Sequence, residues 1–406
     1  MKNEYRVAVT GIGVLTANAT SAQEFSDALR AGRSGIRDIT RFDTGFPFRL
    51  GGEVRLEESE SGLDRVSQLA ITAARQAVLD SGLTDEGGWR RRAGLCIGTS
   101  RGPAISLEQL LASADTAAKM ALFDEIPFNS IARNVARLLN LYGQTSTVTM
   151  ACVSSSLAVG RAFDAIRRGR AEVMLAGGAD SLTNLSFSGF SVLRAMTRTS
   201  CRPFDTRRDG MVLGEGAGIV VLENYELAVA RGARIYAEIC GWGTAGDAHH
   251  ATSPSPDGRG LAGAMRSALR QAGIAPDDVE HVNLHGTGTP ANDVSEPKAL
   301  QQVFGARSAR IPVNSLKPMF GHTLGAAGVL ELAGSILSMR DGFIAPTINT
   351  QEVDPACGEM NLVRGERLER NYEVLLSTKS AFGGANVAIV ARKVARKVAG
   401  KNEVIS

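Results

Sequence analysis

One repeated order of signals constrains this chain more than any other feature. A short β-branched apolar run ends at a break of glycines and small residues, and a stretch of helical period follows. Residues 145–150 are β-rich, Cys152 follows at a break, residues 154–168 carry an amphipathic stripe, and residues 171–177 read as a buried strand. Strand, turn, helix, strand is the parallel α/β order, because parallel neighbours need a crossover and a helix supplies it. Further strands are expected at residues 6–10, 93–98, 212–223, 235–242, 279–284 and 311–315. Helices are expected at 21–31, 63–79, 128–140, 224–233, 258–273 and 323–340, each closed by a glycine, a basic turn or a polar break. Residues 373–377 and 386–391 read as closing strands around Gly383-Gly384, and Gly11-Ile-Gly13 reads as a turn after the first strand. Two stretches of like order meet near residue 240. The expectation is an α/β fold of two similar halves, 1–240 and 241–406.

Composition removes several classes of function. The 45 glycines have no period, which excludes a collagen-like chain. Lys plus Arg number 45 against 42 Asp plus Glu, so the net charge of +3 leaves no electrostatic footprint for nucleic acid. Aromatics at 5% do not make base-stacking platforms. No stretch reaches the ~18 apolar residues of a membrane span, and the first residues lack the apolar core of a signal peptide. Five cysteines, an odd number without C-x-x-C spacing, point to a reducing cytoplasm with neither a disulfide framework nor a zinc knuckle. The acidic segment 53–60 reads as a solvated loop, and the basic tail 392–401 as a surface helix or frayed end.

Three residues at separate junctions could do chemistry. Cys152 lies between a strand and a helix, where the positive end of the helix dipole and free N–H groups lower a thiol's pKa. The plain alternative is a buried small hydrophobe. His285 ends an apolar strand and opens a Gly/Thr loop, the place where α/β folds hold ligands. His322 sits at another strand-to-helix transition, with Lys317 before it and Glu331 after it. A solvated pair on a helix flank is the plain reading of those two charges. The chain has only five histidines, so two of them at junctions matching that of Cys152 is a joint pattern. Two other readings fail. Gly11-Ile-Gly13 lacks the third glycine and ribose carboxylate of a dinucleotide loop, and the adjacent His249-His250 has no accompanying ligands for a metal.

The chain resembles the β-ketoacyl-acyl carrier protein synthases of the I/II class, the condensing enzymes of the thiolase superfamily, over residues 4–392. The resemblance rests on Thr149-Met-Ala-Cys-Val-Ser-Ser155, Arg202-Pro-Phe-Asp-Thr-Arg-Arg-Asp-Gly210, Gly214-Glu-Gly-Ala-Gly218, His285-Gly-Thr-Gly-Thr-Pro290, Gly321-His-Thr-Leu-Gly-Ala-Ala-Gly328 and Phe382-Gly-Gly-Ala-Asn386. It is most like 3-oxoacyl-acyl carrier protein synthase II. It implies the five-layered αβαβα thiolase-like fold and a homodimer, or a heterodimer with a chain-length-factor-like subunit. It also implies a decarboxylative Claisen condensation, in fatty-acid or type II polyketide or polyene chain elongation. Cys152 accepts an acyl group from a carrier protein, and malonyl carrier loses CO2 and supplies the attacking carbanion. His285 and His322 hold the enolate oxygen, and Lys317 and Glu331 order the site. The N–H groups of Cys152 and Phe382 form an oxyanion hole, and Phe382 gates the acyl pocket. Thr252, Thr287 and Thr289 meet the 4'-phosphopantetheine arm of the carrier, and His250 lies near that channel. No cofactor or metal is implied beyond the arm that the partner brings.

The same residues exclude relatives. Thiolases place a second cysteine where this chain has Phe382, with Cys357 outside the motif; the priming class III synthases use His and Asn rather than two His. Chain-length factors lack the nucleophile. A non-catalytic scaffold subunit supporting an active partner is the competing reading. Two departures stand out. The gate segment reads Thr378-Lys-Ser-Ala-Phe-Gly-Gly384 where the family has Asn-Ser-Phe-Gly-Phe-Gly-Gly, and Pro318 and Phe320 replace small or polar residues near His322. The stretch before the helix at Leu63-Asp64 is acidic where family members carry basic docking residues, leaving Arg65, Arg207 and Arg208 as docking candidates.

Overall fold

The computed structural model describes residues 4–56, 62–84 and 88–394. Ten strands carry the architecture. The first five are β1 (Val7–Leu15), β2 (Gly94–Gly98), β3 (Thr145–Val148), β4 (Val173–Asp180) and β5 (Gly216–Asn224). The second five are β6 (Ala237–Gly246), β7 (His281–Asn283), β8 (Pro312–Asn314), β9 (Val374–Ser380) and β10 (Ala385–Arg392). The first set lies in the order β1-β5-β4-β2-β3 and the second in the order β6-β10-β9-β7-β8. Numbered within each half, both orders are first, fifth, fourth, second, third. Pair senses repeat as well. The second strand of each half is parallel to its two neighbours, and the fifth is antiparallel to its own. The expected two similar halves are therefore visible as one topology used twice. β1 and β6 join them through Val7–Val9, and residue 240 lies inside β6, so the halves meet in a strand rather than at a linker.

Helices fill three layers. α1 (Ala22–Arg30) is capped by Ser21. α2 (Arg65–Ser81) and α3 (Ser130–Leu138) cover the outer face of the first half. α4 (Ser154–Arg167) and α5 (Asn184–Val192) follow, then α6 (Arg259–Ala272) and α7 (Pro290–Phe304) on the outer face of the second half. α8 (Ala327–Asp341) packs against α4, β5 and β9. α4 and α8 thus form the middle layer of an αβαβα stack. Residues 327–339 of α8 are all buried, as a helix enclosed between the two halves of the sheet must be.

Three expectations are corrected here. Gly11-Ile-Gly13 is not a turn: β1 runs through it. Its glycines serve close approach instead, because a Cβ would lie 2.1 Å from Ala77 O at Gly11 and 1.8 Å from Ala73 O at Gly13, both backbone atoms of α2. The acidic loop is not wholly solvated either. Glu53 is 2% exposed and accepts from the Thr40 and Arg41 N–H groups at 3.1 Å. Glu57, Glu58 and Glu60 lie outside the described residues, as does the tail from residue 395. The strand expected from residue 212 begins at Gly216, because Leu213 bridges to His322 instead. Among the described residues no helix is long and apolar enough to cross a membrane.

Candidate active site

The two halves deliver corresponding junctions to one place. In each, the third strand leads to a middle-layer helix: β3 to α4 past Cys152, and β8 to α8 past His322. The helix starts touch. Val329 N donates to Ser155 Oγ at 3.0 Å, and a Cβ on Gly328 would lie 2.1 Å from Ser156 Oγ. A glycine is required there, and its contact brings Cys152 and His322 together.

Cys152 occupies a tight turn. Ala151 has a φ of +45°, and the Ser154 hydroxyl pins the turn by accepting from Met150 N at 2.8 Å and donating to Ala151 O at 2.7 Å. The expected lowering of the thiol pKa is not what the surroundings produce. Burial pushes Cys152 up to about 12, against the pull of Lys317 and Arg101 and with Asp180 adding to the rise. The resting group is a thiol, so attack needs a proton acceptor.

Two imidazoles line the same cavity as the thiol. Their ring centroids are 5.1 Å apart at 85°, and both rings are buried. Burial first, then Lys317, holds both well below the ordinary imidazole range. Leu324 N donates to His322 Nδ1 at 3.2 Å, so the neutral ring carries its proton on Nε2. His285 Nδ1 is buried and has no hydrogen-bond partner among the described residues, which leaves that ring free in its tautomer. Backbone contacts set both rings. His322 N donates to Val212 O at 2.8 Å, and His285 N donates to Glu296 Oε1 at 2.7 Å.

Lys317 and Glu331 are both 0% exposed and 2.6 Å apart, so the solvated-pair reading fails. Lys317 Nζ also donates to His285 O, tying the two histidine segments together. Asp180 ties the segment after β2 to the His322 segment. It accepts from Ser100 N at 2.8 Å, Arg101 N at 2.9 Å and Gly325 N at 2.6 Å, and burial raises it to about 6. The Phe382 N–H has no acceptor among the described residues. One cavity of about 270 Å³ is lined by Cys152, His285, His322 and Phe382 together, and by Thr252, Thr287 and Thr289. The Phe382 ring sits 5.7 Å from that of Phe190.

Comparison with known proteins decides the family. Residues 4–228 match the description "Beta-ketoacyl synthase, N-terminal domain", and residues 236–351 match "Beta-ketoacyl synthase, C-terminal domain". This chain belongs to the β-ketoacyl synthase family. It is 37% identical to a 3-oxoacyl-[acyl-carrier-protein] synthase 2 of Staphylococcus aureus (strain MRSA252), over 97% of this chain and 99% of that protein. Among solved structures, the ishigamide ketosynthase/chain length factor aligns at a TM-score of 0.91 and 38% identity, over 97% of this chain and 100% of that one. A type II polyketide ketosynthase, solved with its acyl-carrier protein and bound to the hexaketide, aligns at 0.91 and 32%, over 96% and 100%.

Two docking candidates of this β-ketoacyl synthase are spent internally. Arg65 clamps the fully buried Glu215 at 2.6 Å, and Arg208 is 6% exposed and bound to Asp354 at 2.5 Å. Arg207 stays 55% exposed beside Asp205. His250 braces the cavity-lining Thr252, whose N–H donates to its Nδ1 at 3.1 Å. Three buried site residues escaped the sequence reading: Asp180, Glu296 and Lys379. Each works through contacts with backbone or with another charge far along the chain. A lysine inside an apolar closing strand was the one local signal.

Proposed function

We propose that Cys152, His285 and His322 carry the two half-reactions of the family's decarboxylative condensation. In the first, the Cys152 thiol gives its proton to the His285 imidazole, whose Nδ1 has no other partner among the described residues, and its sulfur attacks the acyl thioester of a carrier protein. The N–H groups of Cys152 and Phe382 hold the oxyanion, and the imidazolium returns the proton to the carrier sulfur, which leaves as a thiol and restores the neutral ring. In the second, malonyl carrier loses CO2, and the charge that builds on its thioester oxygen meets the imidazole N–H donors. The carbanion then attacks the acyl carbon on Cys152 and yields a 3-oxoacyl thioester, and the bond to sulfur breaks to release the Cys152 thiolate, which takes a proton from solvent. Loss of CO2 supplies the electron pair, so no redox carrier is required. The carrier's 4'-phosphopantetheine arm enters past Thr252, Thr287 and Thr289. The convergence of Cys152 and two neutral imidazoles on one cavity carries this reading. It also weighs against the scaffold alternative, which needs no such convergence. Acyl-carrier thioester mixed with the protein is expected to leave an acyl adduct on Cys152, read by mass spectrometry. Absence of any adduct across a chain-length series, with and without a candidate partner subunit, favours the scaffold.

The chain is read as one member of a dimer, homodimeric or paired with a chain-length-factor-like subunit. β3 is a free sheet edge flanked by Tyr142 at 71% and Met150 at 48% exposure. Leu95 N and Thr99 N donate to the carbonyls of Gln144 and Val148, so the alternate residues Thr145 and Thr147 point their backbone groups off the edge. Thr147→Pro removes one outward N–H without breaking the internal ladder, and is expected to lower the sedimentation mass from two chains to one. An unchanged mass counts against this edge. Five free thiols suit a reducing compartment.

A further inference from the structure

Glu331 serves two lysines. Its Oε1 lies 2.6 Å from Lys317 Nζ and its Oε2 2.8 Å from Lys379 Nζ, the second an ion pair off the hydrogen-bond axis. All three side chains are at most 1% exposed. Two ammonium groups and one carboxylate leave one net positive charge where water cannot screen it. Lys379 is anchored by donating to Asn283 Oδ1 at 2.8 Å and Thr378 O at 2.7 Å. Asn283 ends β7 two residues before His285, and Lys379 lies on β9 three residues before Phe382.

Other charges also face the rings. From α7, Asp293 and Glu296 take the N–H groups of Gly288, His285 and Gly286, with Arg208 at 3.9 Å from Asp293. From β4, Asp180 holds Gly325 N, and Cys152 is neutral in the nucleophile turn. Burial raises Asp293 to about 6 and Glu296 to about 7, and the oxygens of both are taken up by backbone N–H groups. The carboxylates of α7 therefore offset the lysine charge only in part.

We propose that Lys379 is a positioning residue for the condensation: its buried charge, shared across Glu331 with Lys317, holds the His285 and His322 imidazoles neutral. The proposal rests on the decarboxylation reading above. An imidazolium beside the nascent carbanion would hand it a proton and end the cycle as acetyl thioester plus CO2. A neutral imidazole hydrogen-bonds the enolate oxygen and leaves the carbanion to attack carbon.

The test follows both rings by nitrogen-15 NMR of histidine-labelled full-length protein, in wild type and in Lys379→Met, Lys379→Gln and Lys379→Arg. Both charge-free variants are expected to take up the imidazole proton about one pH unit higher, a tenfold change, while Arg keeps the wild-type midpoint. With acyl and malonyl carriers, the Met variant is expected to make several-fold more acetyl thioester per 3-oxoacyl product at pH 6 than at pH 8. Midpoints unchanged in the Met and Gln variants overturn the proposal, whatever happens to turnover. So does a wild-type ring pair that titrates near the ordinary imidazole range, a measurement that needs no variant to fold. Shifted midpoints in protein that never condenses would uphold the charge effect and count instead against the reaction reading.

Discussion

Cys152→Ala is expected to abolish condensation, and Cys152→Gln to abolish it while keeping malonyl decarboxylation. Only the sulfur can hold the acyl group between the half-reactions, so its loss costs on the order of 10⁴-fold or more in 3-oxoacyl formation. Decarboxylation asks nothing of the sulfur. It needs N–H donors where the enolate charge grows, and those belong to His285 and His322, with the proton of His322 fixed on Nε2 by Leu324. Removing one such donor costs about 10²–10³-fold. Release of labelled CO2 from malonyl carrier, measured in the Gln background with His285→Ala and His322→Ala added singly and together, separates the two duties. Decarboxylation that survives the double replacement would remove the histidines from that role.

Glu331→Leu is expected to be among the most damaging single changes to stability. It leaves Lys317 and Lys379 buried without a counter-charge, and breaking a buried ion pair costs roughly 3–5 kcal/mol. Their neighbourhood cannot rehydrate, since residues 327–339 of α8 are enclosed between the two halves of the sheet. Burial has already pushed Lys379 down to about 8, with Glu331 holding it up. Without Glu331 the neutral amine is favoured further, so the variant is expected to lose least stability at alkaline pH. The triple replacement Lys317→Met, Glu331→Leu, Lys379→Met is expected to regain most of the lost melting temperature and no activity. Thermal melts of the single and triple variants at pH 7 and pH 9 check both statements. A single variant as stable as wild type would show that the three charges do not depend on one another.

How much of this was legible beforehand follows from where each signal is stored. The alternation of β-branched runs, glycine breaks and helical stripes is local, and it placed β3, α4, β8 and α8 within a few residues. Cys152, His285 and His322 were legible because each is a reactive side chain at a junction of strand and helix. Gly11 and Gly13 were misread because a glycine that admits a neighbouring carbonyl looks the same in one dimension as a glycine that turns the chain. Glu53 was misread for a like reason: a carboxylate capping the N–H groups of Thr40 and Arg41 resembles one in water until its partners are known.

Local pattern was thus enough for the alternating elements, their grouping into two like halves and the identity of the reactive groups, since these depend on side-chain period and turn chemistry within a few residues. Protonation was decided in three dimensions. The helix position that lowers a thiol's pKa was overridden by burial, and the two imidazoles are held well below their ordinary range first by burial and then by the Lys317 charge, in a pocket that segments far apart in the chain enclose. Desolvation and charge–charge energies depend on distance through space and on excluded water, and neither is written in the order of residues.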